Sequence, residues 1–141
     1  MVSLIFAYLF DHPEYLYHPG EKTTERSWTR SPVAGNKLAD KAVYVLTSDR
    51  TASGAEQFSY NMKMLRRGTL VGETTHGVAH AGVFRRIDEH FGMGIPEQRG
   101  INPYSKRDWE GVGVEPDVMV AAVDALAAAE KLAWSRVSKR P

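Results

Sequence analysis

Cysteine is absent from the 141 residues, which excludes disulfides, zinc–thiolate sites and thiol catalysis. That absence fits either redox compartment. Long hydrophobic runs are missing too: no apolar stretch approaches the roughly 20 residues that a membrane-spanning helix needs. The opening MVSLIFAYLFDHPE is apolar but has no basic n-region and no small-residue cleavage site, so it does not read as a signal peptide. It reads as a buried helix over 2–10 with Leu4, Ile5, Tyr8 and Leu9 on one face. An excess of charge of one sign is also lacking. Lys and Arg number 18 against 17 Asp and Glu, a net charge of +1. That balance argues against nucleic acid or an anionic membrane as the main partner. No internal repeat and no linker divides the chain, so residues 1–141 read as a single domain. Its 43% hydrophobic content is enough for a core.

The pattern along the chain is α/β. Residues 13–40 are punctuated by Pro13, Pro19-Gly20, Pro32 and Gly35-Asn36, with room for a hairpin using Tyr15-Leu16-Tyr17 and Arg26-Ser27-Trp28. Residues 42–47 form a β-branched and aromatic run without alternation, which predicts a buried strand. Over 54–66, Ala55, Phe58, Met62 and Leu65 fall on one helical stripe, and Gly68 stands where a helix C-cap belongs. Thr69 to Val71 is a second short buried strand closed by Gly72. Strand, helix and strand within so short a span imply a parallel pair with a right-handed crossover. Residues 83–87 suggest a strand, 88–110 are loop-rich, and Val112 to Val120 is extended but broken by Pro116. An alanine-rich helix follows over 122–136 with Leu126, Ala129, Leu132 and Ala133 on one side, and Ser138 to Pro141 is a frayed tail.

Ser53, between the first strand and the helix after it, admits two readings. Ser53-Gly54-Ala55-Glu56 is an S-x-x-E capping box, in which the hydroxyl takes an orphan helix amide and Glu56 reaches back to the cap. The same placement suits acyl transfer. A serine at a strand-to-helix turn faces the positive end of the helix dipole, and the Gly54 amide is free to meet a developing oxyanion. Thr51 could cap the helix instead and leave the Ser53 hydroxyl to the cleft. A serine nucleophile also needs a base.

KAVYVLTSDRTASGAEQFSYNMKMLRRGTLVGETTHGVAHAG, residues 41–82, resembles the core of the S41 peptidases, the C-terminal-processing or tail-specific proteases. WEGVGVEPDV, 109–118, matches a second motif of the branch that includes tricorn protease and the modules of interphotoreceptor retinoid-binding protein, and AYLFD and Trp28-Thr29 also look similar to it. The resemblance implies a ClpP/crotonase-like α/β core of β-β-α units with a C-terminal helix. It places the nucleophile on Ser53, one oxyanion donor on the Gly54 amide and the branch's glutamate on Glu110. The position of the processing proteases' lysine base is Val78, and Lys63 is misplaced to substitute. The branch's histidine and the Asp-x-Arg-x-Asn-x-Gly-Gly stretch lie upstream of what this sequence matches. The resemblance therefore implies the C-terminal portion of a catalytic core, the upstream part being absent.

The histidines complete the candidate set. His76 and His80 sit four apart in THGVAHAG, but Gly77 and Gly82 argue against a helix and no carboxylate pattern accompanies them, so no metal is assigned. His80 coincides with a histidine of the retinoid-binding branch and is a substrate-cleft candidate. His76 is a second, and a candidate local base. His12, His18 and His90 lie in Pro- or Gly-flanked loops that face solvent. Glu110 could equally be a structural carboxylate holding backbone amides beside Gly111 and Gly113.

The resemblance implies a serine-type endopeptidase acting on polypeptide, with no cofactor, and with these 141 residues inactive alone. The alternative is a non-catalytic module that holds a lipophilic, retinoid-like molecule. Either way the half-core would be covered by the missing segment or by self-association. Family analogy leans toward an extracytoplasmic bacterial location.

Overall fold

A computed structural model describes residues 2–17 and 26–138; the expectations for His18 and for the tail from 139 onward lie outside them. In chain order the elements are α1 (Val2–Leu9), β1 (Tyr15–Tyr17), β2 (Ser27–Trp28), β3 (Tyr44–Thr47), α2 (Gly54–Met64), β4 (Thr69–Gly72), β5 (His80–Arg86), β6 (Gly92–Arg99), β7 (Val118–Met119) and, after a short 3-10 turn at Ala122–Asp124, α3 (Ala125–Val137). Among the described residues no helix is long and apolar enough to cross a membrane.

A three-stranded parallel sheet in the order β3–β4–β7 organises the rest. Successive side chains of a strand point to opposite faces, and here each face has its own core. Val43, Val45 and Leu70 face a cluster with Phe6, Leu9 and Phe10 of the α1 region, Met62 of α2, Trp109 and Val114. Tyr44, Val71 and Val118 face Ala125, Ala129 and Leu132 of α3. The buried strand expected over 42–47 is shorter and more open than that: β3 begins at Tyr44, residues 43–45 are half-buried, and Leu46 is exposed. The expected small hairpin also forms, with Tyr15 opposite Trp28.

Several expectations need correction. The buried face of α1 carries Phe6, Ala7 and Leu9, while Leu4 and Ile5 are exposed. Phe6 packs on Phe10 and Phe58, so aromatic packing selects the face. The C-terminus of α2 is closed by Arg66, not Gly68. Arg66 sits at φ 50°, its amide donates to Lys63 O, and the Arg67 amide donates to Met62 O at 2.9 Å. That pair of bonds is a Schellman motif. Gly68 lies instead where a Cβ would come 3.2 Å from Val43 O and 2.6 Å from the flexible end of Met62.

Within the loop-rich 88–110, residues 92–99 form β6, paired antiparallel with β5 despite Pro96. A two-stranded ribbon leaves an open edge on each strand, where proline is tolerated. On α3, Ala125 and Ala129 are buried against Val71 with Leu132 packed beside them, and Leu126 is exposed. In the extended stretch to Val120, only Val118 and Met119 pair as a strand.

Candidate functional site

Thr47 ends β3, and six residues later the chain turns sharply into α2. Thr51 is spent on the first bend: its Oγ1 accepts the Ser48 amide at 3.0 Å, and its own amide donates to Ser48 O. It therefore does not cap the helix. The next bend closes with the Ala55 amide on Ala52 O, and Ser53 lies at φ 55°, ψ −118°. This is the conformation of the first central residue of a type II′ turn, which glycine ordinarily occupies. A serine there costs roughly 1–3 kcal/mol, and such strain concentrates at functional sites. A strained strand-to-helix turn is also how hydrolases push a nucleophilic serine out into a cleft.

Only the glutamate half of the capping box forms: Glu56 takes the Ser53 amide, while Ser53 makes no side-chain cap hydrogen bond, and Glu56 does far more than cap. It is completely buried. Its Oε2 accepts the amides of Ser53 at 2.8 Å and Val78 at 2.9 Å, and its Oε1 accepts Thr75 Oγ1 and the Gly77 amide, both at 2.6 Å. Burial pushes this carboxyl pKa up, and the bonds from Thr75, Gly77, Val78 and Ser53 outweigh burial and leave it lowered. Two amides on one oxygen bring Ser53 and Val78 side by side.

The segment 75–80 is stitched on its other side to 108–114. Thr75 Oγ1 accepts the Val114 amide at 2.7 Å, the Gly111 amide donates to Gly77 O, and Trp109 Nε1 donates to Val78 O. Gly77 and Gly113 make this approach possible. A Cβ on Gly113, at φ 73°, would fall 2.2 Å from Thr75 O.

Glu110 is exposed and its Oε2 accepts the Ala79 amide at 2.6 Å and the His80 amide at 3.0 Å. The backbone it holds is thus 79–80 rather than its neighbouring glycines. His80 Nε2 lies 3.2 Å from Asp108 Oδ2, which also accepts Arg99 Nε at 2.8 Å. Burial raises the Asp108 pKa, and Arg99, the Glu110 amide and His80 more than reverse that, leaving it lowered.

A cleft of about 190 Å³ is lined by Tyr17, Ser53, Gly54, Gln57, Ala79, Ala81, Gly100 and Trp109. Ser53 and Gly54 are both exposed. The Gly54 amide has no acceptor among the described residues, and a Cβ on Gly54 would meet nothing within 4 Å. The protein's own packing therefore does not demand glycine at 54. Ala79 and Ala81 line the cleft on either side of His80, whose ring is held by Asp108. His76 is exposed, and its amide donates to Thr51 O. Lys63 is in the last turn of α2, on Glu115 O and Asp117. His12 pairs with Glu14 at the surface, and the His90 amide donates to Asp88. Among the described residues, none of these histidines and no lysine hydrogen-bonds Ser53.

Sequence reasoning gave Glu56 only a capping role and passed over Asp108. The signal for the first was the S-x-x-E spacing itself; its bonds to 75–78 come from tertiary packing.

The model of peptidase family S41 matches residues 3–120. Among solved structures, a photosystem II D1 C-terminal processing protease is 21% identical, with a TM-score of 0.67, over 85% of this chain and 31% of its own. A candidate peptidase from Parabacteroides merdae is 19% identical, with a TM-score of 0.74, over 93% of this chain and 46% of its own. Mature CPAF complexed with lactacystin is 19% identical, with a TM-score of 0.59, over 79% of this chain and 22% of its own. These likenesses establish a shared mixed α/β fold. This chain spans less than half the length of each.

Proposed function

Because the chain belongs to peptidase family S41, we propose that it supplies the nucleophile and part of the oxyanion site of a serine endopeptidase. The observation that carries this reading is the exposed Ser53 in a strained turn, beside the unpaired Gly54 amide in one cleft. Ser53 Oγ attacks the scissile carbonyl of a polypeptide and gives up its proton to a base. The Gly54 amide, one of the four amides a helix start leaves unsatisfied, stabilises the oxyanion. The amine leaves, and water then releases the acyl group.

No described histidine or lysine contacts Ser53, and the base position Val78 holds an apolar side chain. We therefore place the base outside the described residues, and proteolysis by this chain alone is expected to be negligible. General-base assistance is worth on the order of 10²–10⁴ in rate. Glu110 acts on the cleft through the backbone of Ala79 and His80.

The test is cleavage of an unfolded protein by a longer S41 polypeptide that contains this chain. Ser53→Ala should reduce turnover to background while unfolding at nearly the same urea concentration. Undiminished cleavage would refute the assignment. A second reading, a lipophilic-ligand module, draws on the apolar groove of about 730 Å³ lined by Val2, Ile5, Val45, Leu46, Ala55 and Phe58. Saturable retinol binding together with no cleavage would favour it.

A further inference from the structure

Glu56 is the most buried charge in the neighbourhood of Ser53, and capping does not account for it. A capping-box glutamate needs only the amide of the N-cap residue. Here that bond is one of four, and the other three come from Thr75, Gly77 and Val78, on the far side of β4 in the chain. A buried carboxylate without partners would be costly enough to be eliminated or protonated. With two donors on each oxygen it is stabilised in its ionised form. Its partners belong to the two segments that meet at the cleft. Ser53 is held in a conformation its side chain disfavours, and Val78 precedes the cleft-lining Ala79.

We propose that Glu56 is a positioning residue of the S41 site, its carboxylate clamping the Ser53 turn to the 75–78 segment and so aiming the Ser53 hydroxyl into the cleft. This rests on reading Ser53 as the nucleophile. Two features follow from the four-donor geometry. Glutamine cannot serve all four partners, because its NH₂ would face either the Gly77 amide and Thr75 Oγ1 or the amides of Ser53 and Val78. Aspartate keeps the charge but is one methylene short of spanning both segments.

Amide hydrogen exchange on this chain decides the clamp without reference to activity. In Glu56→Gln, exchange should accelerate roughly tenfold or more relative to the amides of β4 either at Gly77 or at the pair Ser53 and Val78, whichever side the new NH₂ takes, the scale expected for lost buried hydrogen bonds. Glu56→Asp should fall between. Equal acceleration throughout, or none at these three amides, would overturn the proposal.

An NMR titration of the unmodified chain needs no variant. The amide shifts of Ser53, Gly77 and Val78 should move together with the Glu56 side-chain carboxyl carbon, with one midpoint. Independent midpoints would count against the clamp.

In a longer polypeptide that cleaves protein, Glu56→Gln should lower kcat at least tenfold per folded molecule, with KM within about twofold. A residue that only supported the fold would lower the folded fraction and leave kcat unchanged, and that result would overturn the positioning role. If the unaltered polypeptide shows no cleavage, it is the peptidase reading that fails, and the exchange and titration results still decide the clamp.

Discussion

Residues 75–80 and the hairpin that continues from them, 80–99, are adjacent in the chain and held by different physics. The first segment is anchored by the buried Glu56 and Thr75, by the 109–114 loop and by Glu110, with backbones packed against each other at Gly77 and Gly113. The second is an antiparallel ribbon whose residues 81–97 are all exposed, Phe84 at 75% and Phe91 at 68%. Its cohesion comes from its own ladder and from pairs such as Arg85 with Glu97. The wall beside Ser53 is therefore fixed by tertiary contacts that tolerate little change, while the ribbon is locally determined and, at Gly94, open to substitution.

A matched pair of glycines gives the largest contrast. Gly113→Ala drives a Cβ into Thr75 O at positive φ, and should cost about 3 kcal/mol or more in urea unfolding. Gly94→Ala, in the ribbon, meets nothing within 4 Å and should stay within about 0.5 kcal/mol. Equal effects would erase the distinction.

Acid sharpens the same contrast by a smaller amount. The folded-state pKa values of Glu56 and Asp108 lie below their ordinary 4.5 and 3.8. In the unfolded chain these groups bind protons first as pH falls. Their contribution is thus fully present above about pH 4.5 and is lost as pH drops through the lowered folded values. Unfolding free energy should decline over that acid range, and Glu56→Gln should flatten the decline. An unchanged acid profile in the variant would remove Glu56 from the account.

The sequence made much of this legible. A strand within 42–47, the helix from Gly54, the strand at 69–72 and the hairpin of Tyr15–Tyr17 with Ser27–Trp28 follow from apolar pattern and local punctuation. So does the parallel β3–β4 pair. The site motifs were also visible: Ser53-Gly54 does line a cleft, with Trp109 from the second motif beside it. What pattern could not show depends on distant partners. The α1 face was misplaced because Phe58 and Phe10, not periodicity, choose Phe6. The C-terminus of α2 was assigned to a glycine because Arg66 at positive φ has no residue-type signal. β6 was missed because glycines and a proline are acceptable in an open ribbon. Glu56 looked like a cap because its other three donors are far away in the chain.

The central claim is that Ser53 is kept in a glycine-like backbone conformation for chemistry rather than for stability. Ser53→Gly tests it most directly. Glycine relieves the positive-φ strain, offset in part by its greater unfolded-state entropy. The account predicts urea-unfolding stability equal to or up to about 1 kcal/mol above that of the unsubstituted chain, together with loss of proteolysis in any S41 polypeptide that contains this chain and cleaves protein. A variant that is destabilised by more than about 1 kcal/mol, or that still cleaves, would contradict it.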